Sequence, residues 1–145
     1  MSAISEPGVL GPVVALNLWT FVMEGWMFAR RIPAIKKYKI PMDPTISKEQ
    51  ITAKYPHPAR WVADNFNHLM EQPTQFYAVA VAIALLHERK GSKADVTLAW
   101  AYVGLRVLHS LVQASSNNIG RRFLIFLTSS FVLLGMTVNA AKLVF

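Results

Sequence analysis

Four long apolar blocks set the limits on what this chain can fold into. They cover residues 9–29, 61–86, 96–116 and 122–144. Each is close to the roughly 20 residues that an α-helix needs to cross a bilayer core. The last block is interrupted only by Thr128, Ser129, Ser130, Thr137 and Asn139 before Lys142, whereas a water-facing helix keeps a polar face along its whole length. Only 16% of the residues are charged, against about 25% in a typical soluble domain. The pattern predicts one all-α membrane domain over residues 1–145, an integral membrane four-helix bundle with four transmembrane helices. The segment 30–60 becomes a loop between the first two spans. Residues 1–12 lack the basic start and small-residue cleavage site of a signal peptide, so the first span is expected to be retained.

The charges orient this bundle. Of the net charge of +7, the loop 30–60 supplies eight basic residues: Arg30, Arg31, Lys36, Lys37, Lys39, Lys48, Lys54 and Arg60. Arg121 and Arg122 follow the third span, while the opposite side holds Arg89, Lys90, Lys93 and Lys142. The resulting imbalance puts the first and third linkers in the cytoplasm and both termini on the non-cytoplasmic side. With no soluble domain to display the charge, a nucleic-acid role is excluded, and attraction to lipid headgroups is the expected use. Within the loop, Ser47 and Gln50 fit the capping pattern of a short surface helix, and little core is expected there. The chain has no cysteine, so it has no disulfide, thiolate metal site or protein thiol nucleophile. Any sulfur chemistry must come from a bound thiol.

Two polar stripes interrupt the apolar blocks. In Ala63–Leu86, ADNFNHLMEQPTQFYAVAVAIALL, residues Asp64, Asn67 or His68, Glu71 and Gln75 recur at the three-to-four spacing of a single helix face. In the third block Tyr102, Arg106, His109 and Gln113 follow steps of four, three and four. Glu71 lies ten positions beyond Trp61 and Arg106 ten before Ser116, so each is about 15 Å from the cytoplasmic end of its helix. A Glu71–Arg106 pair facing the bundle interior is therefore expected, since an unpaired charge at that depth costs on the order of 3 kcal/mol. Such a pair would lock two helices, but it leaves His68, His109, Gln113, Asn117 and Arg122 without a purpose. A polar cavity open to the cytoplasm, rich in donors for an anion, accounts for all of them.

These segments resemble the MAPEG family, the membrane-associated proteins in eicosanoid and glutathione metabolism, and most closely its bacterial branch. The first carrying motif is DNFNHLMEQPTQFY, Asp64–Tyr77; the second is AWAYVGLRVLHSLVQ, Ala99–Gln113, with an Arg-x-x-His core at Arg106 and His109. The third is NNIGRRF, Asn117–Phe123, which places Arg122 thirteen residues beyond His109. The resemblance implies a homotrimer in a bacterial inner membrane, with glutathione as co-substrate bound between subunits near the cytoplasmic side. It implies that Glu71, Arg106 and His109 hold the tripeptide, with Asn67, His68 and Gln113 as further contacts, and that Arg122 favours the thiolate. Gln113 stands where several mammalian enzymes of the family have Tyr, and Asn65, Asn67 and His68 stand where those enzymes have basic residues.

The expected function is that of a membrane-bound glutathione transferase or peroxidase acting on lipophilic electrophiles or lipid hydroperoxides. A second possibility is a non-enzymatic lipid-binding protein on the same trimeric scaffold. A third, a proton-coupled transporter built on Glu71, His68 and His109, ranks last because Glu71 and Arg106 can neutralise one another.

Overall fold

The computed structural model describes residues 8–87 and 91–145. Its elements in chain order are α1 (Leu10–Lys37), α2 (Lys48–Ala53), α3 (His57–Glu71), α4 (Thr74–Leu86), α5 (Lys93–Ser115) and α6 (Ile119–Val144). Three stretches are long and apolar enough to cross a membrane: α1, α3 together with α4 (His57–Leu86), and α6. Large apolar side chains cover their outer faces, including Phe21 on α1 and Phe123 and Phe131 on α6, each more than 60% exposed. That surface suits hydrocarbon and makes this an integral membrane protein.

The first helix runs well past the expected end of its apolar block. α1 accommodates Pro33 and continues to Lys37, so Arg30, Arg31, Lys36 and Lys37 stand on helix and not on loop. Lys36 and Lys37 oppose the negative end of the helix dipole. Lys39, at φ 48°, then turns the chain, and the N–H of Ile40 returns to the carbonyl of Ile35 at 3.1 Å. The connection to α3 also has more core than expected. Ala34, Ile40, Tyr55 and Ala59 form a small buried cluster against Ile35 and Ile51, and Ser47 caps α2 by accepting from the N–H of Gln50 at 3.3 Å.

The second apolar block is divided at Gln72–Pro73, between α3 and α4. Proline has no N–H to give the preceding turn and its ring crowds that turn. Both residues keep right-handed helical angles, so the chain bends without reversing. Thr74 donates its hydroxyl to the Glu71 carbonyl at 2.9 Å, replacing part of the lost ladder.

Beyond α4, Arg89 and Lys90 lie outside the described residues, as do the first seven. α5 starts with a complete capping box. The Ser92 hydroxyl accepts from the N–H of Asp95 at 3.2 Å, and the Asp95 carboxylate accepts from the N–H of Ser92 at 3.0 Å. Asn139 of α6 donates to the same carboxylate at 3.0 Å and ties the two helices together.

α5 is central in the bundle, packing against α1, α3 and α6. The main core joins Leu16 and Met23 of α1, Val62 and Leu69 of α3, Phe76 and Ile83 of α4, Val103 of α5, and Leu133 and Met136 of α6. Its polar stripe is consequently drawn into the interior: Tyr102, Arg106, His109 and Gln113 are each 3% exposed or less.

Candidate functional site

The site begins with this stripe on α5 and what faces it. Arg106 is fully buried, and one of its Nη atoms donates to the side-chain carbonyl of Gln72. The same oxygen accepts from the Tyr102 hydroxyl at 2.6 Å. Aromatic rings enclose the guanidinium, which lies 5.1 Å from the centroid of Tyr102 and 5.4 Å from that of Phe126. Phe76 stacks on Tyr102 with ring centroids 4.5 Å apart. The Nε and second Nη of Arg106 have no hydrogen-bond partner among the described residues. Arg106 is thus a buried cation with donors to spare.

The expected Glu71–Arg106 pair is not made within the chain. Helix α3, the turn that joins it to α4 and the start of α4 carry two polar stripes one position apart. Asp64, Asn67, Glu71 and Gln75 all lie on exposed surface, whereas Asn65 is buried and His68 and Gln72 are half-buried towards α5. Both stripes satisfy helical spacing, and the inward one is set by Leu69, Val62 and Ala59, which the core requires on that side. Gln72, passed over in the sequence, is therefore the partner of Arg106. The signal was present: Gln72 lies four positions after His68 and seven after Asn65, immediately before the helix-breaking Pro73.

Towards the basic end of α3, His68 and His109 stack with centroids 4.9 Å apart and planes inclined by 23°. Phe126 lies 5.7 Å from the His68 ring. Below them, the Asn65 side-chain amide donates to the Gln113 carbonyl at 3.1 Å, both residues buried. Gln113 is thereby part of a helix-to-helix contact.

Arg122 is placed by the short connection from α5. Asn117 adopts φ 49° and returns its N–H to the Val112 carbonyl at 2.8 Å, ending α5. Asn118 then caps α6 by accepting from the N–H of Arg121 at 3.0 Å. Arg122 falls in the first turn of α6, and its guanidinium donates to the Asn117 side chain. It lines a cavity of about 320 Å³ together with His68, His109, Ile119, Phe123 and Phe126. Arg121, by contrast, is exposed. A second groove, about 470 Å³, runs between α4 and α6 and is lined by Gln72, Gln75, Val79, Ser130, Leu133 and Thr137.

The structure thus brings His68, His109, Arg122 and Phe126 to one cavity, with Arg106 behind Phe126. It leaves Glu71 and Asn67 on an outer face and commits Gln113 to Asn65. Among the described residues no three His, Asp or Glu side chains converge as a metal centre would need. What the cavity offers is positive charge, aromatic walls and the N-terminal turn of α6, a combination suited to an anion.

The profile of the MAPEG family matches residues 9–142, nearly the whole chain. The chain belongs to the MAPEG family. No curated protein and no solved structure matches it. The MAPEG proteins include glutathione transferases and peroxidases, generally use glutathione and are generally trimeric.

Proposed function

We propose that the protein is a membrane-bound glutathione transferase or peroxidase acting on lipophilic electrophiles or lipid hydroperoxides, with its thiolate held at Arg122. The observation that carries this reading is the cavity in which Arg122, His68 and His109 meet at the start of α6. A free thiol with a pKa near 8.5 is mostly protonated at neutral pH, and a neighbouring guanidinium and helix N-terminus both favour the thiolate. Asn117 holds the Arg122 guanidinium in place, so a sulfur anion meets a fixed charge.

The remaining assignments follow from this centre. Arg106, with free donors next to Gln72, holds a glutathione carboxylate, and the outward stripe with Asn67 and Glu71 meets the tripeptide across a subunit boundary in a homotrimer. α5, 23 residues long, completes the four spans and turns Trp100, Leu108 and Leu111 outward. The basic ends of α1 and α6 lie in the cytoplasm, where soluble glutathione arrives, and both termini lie opposite. The lipophilic substrate enters from the bilayer through the groove between α4 and α6, whose apolar walls carry only hydroxyl and amide groups.

That groove also suits the second reading, a non-enzymatic lipid-binding protein on the same scaffold. Transfer of glutathione to a model electrophile by the purified protein in detergent decides between them. The transferase reading expects turnover that depends on Arg122. Absence of glutathione binding at millimolar concentration would overturn it.

A further inference from the structure

A third cavity, distinct from that of Arg122, lies where the basic end of α1 meets α2 and α3. It measures about 410 Å³, and its charged lining is mixed: Arg31, Lys48 and Arg60 against Glu49 and Asp64. We propose that this cavity binds a phosphoethanolamine headgroup, presented by a phospholipid of the surrounding membrane.

The two arginines are prepared for a phosphate. The Arg31 guanidinium lies 4.6 Å from the centroid of the Tyr55 ring, and Tyr55 is itself fixed in the small core beside Ala34 and Ala59. Stacking on a ring face leaves the in-plane N–H donors of Arg31 available. Arg60 is steered by His57, whose Nδ1 accepts from one Nη at 2.8 Å. The buried Nε of Arg60 has no hydrogen-bond partner among the described residues. A phosphate diester uses such donors in pairs.

The acids narrow the choice. A purely anionic headgroup would satisfy the cations but meet Glu49 and Asp64 unfavourably. A quaternary ammonium has no N–H to give either carboxylate. A primary ammonium two carbons from the phosphate satisfies both halves of the cavity. The Glu49 carboxyl is held below the usual range, first by its own backbone N–H and then by Ser47, so it is ionised at neutral pH.

Height and surroundings favour a lipid over a soluble ester. Arg31 stands where the apolar part of α1 gives way to its basic end, at the depth of lipid phosphates. Phe28, one turn earlier on the same face of the helix, is 48% exposed, and offers an acyl chain a surface continuous with the cavity. Asp64 and Asn67 of this lining also belong to the outward stripe assigned to glutathione, so lipid retention is counted with no glutathione present; none of the five charged residues lines the cavity of Arg122.

The test uses the full chain, stripped of lipid in detergent and mixed with equal amounts of dioleoyl phosphatidylethanolamine, phosphatidylcholine and phosphatidylglycerol, with bound lipids counted by native mass spectrometry. Phosphatidylethanolamine should be retained in about tenfold excess over either competitor, the factor equivalent to one charge-assisted hydrogen bond. Glu49→Gln with Asp64→Asn should abolish its advantage over phosphatidylglycerol, and Lys48→Ala should weaken all three. These three residues are exposed, so the variants fold. Equal retention of the three lipids, or a preference unchanged in the Glu49→Gln/Asp64→Asn variant, overturns the proposal. Soluble phosphoethanolamine that competes as well as the lipid overturns the lipid as the source.

Discussion

Gln72 is the test of how this bundle tolerates a buried arginine. Gln72→Met keeps the length and volume of the side chain but removes the oxygen shared by Arg106 and Tyr102. A hydrogen bond to a charged group contributes about 1.5–3 kcal/mol and a neutral one about 0.5–1.5 kcal/mol. Polar contacts in membranes fall towards the lower ends of such ranges. The expected loss is about 2–4 kcal/mol, because both donors remain buried with no acceptor. The assay is reversible unfolding in mixed micelles of increasing SDS fraction. Removing the charge as well should recover part of the loss, since two apolar groups of matching shape are nearly neutral where one orphaned cation is not. Arg106→Met/Gln72→Met should therefore be at least as stable as Gln72→Met. A loss below about 0.5 kcal/mol for the single variant, or strictly additive losses in the double, would refute the reasoning.

Other sites give sharp expectations. Glu71→Gln should weaken glutathione binding while shifting unfolding by less than about 0.5 kcal/mol, because the side chain is exposed on the protomer; isothermal titration together with SDS unfolding separates the two effects. Gly91→Ala should cost about 2 kcal/mol or more in the same unfolding assay, since φ is +69° and an added Cβ would lie 2.8 Å from Val9 Cγ1. Asp95→Ala should cost about 1–3 kcal/mol in that assay, because it removes the carboxylate that accepts from Ser92 and Asn139, and with it the cap of α5 and its tie to α6.

Much of the architecture is legible in the apolar blocks, because a bilayer demands length and leaves little else to choose. The reading of 61–86 as one helix passes over the break at Pro73, although the missing N–H there is a covalent fact. The reach of α1 to Lys37 was not legible, because charge marks the membrane boundary and not the helix end. On α5, one stripe of four polar residues in a spaced row left a single inward face, and the structure buries all four. On α3, two stripes differ by a 100° turn of the helix, and charge drew attention to the one carrying Glu71. Only the packing of Leu69 and Val62 against the core decides between them, and that depends on the other helices. The stacking of His68 on His109 likewise needs the crossing of α3 and α5. The position of Arg122 in the first turn of α6 was legible because NNIGRRF combines a helix stop, a cap and a cation in a few residues.

The central claim is that Arg122 stabilises a glutathione thiolate, and ultraviolet difference absorbance of the purified protein titrated with glutathione at neutral pH tests it most directly. The account predicts a saturable thiolate band in the native protein, and in Arg122→Met glutathione binding that persists without the band. A band of equal size in Arg122→Met, or no band in the native protein at saturating glutathione, would contradict it.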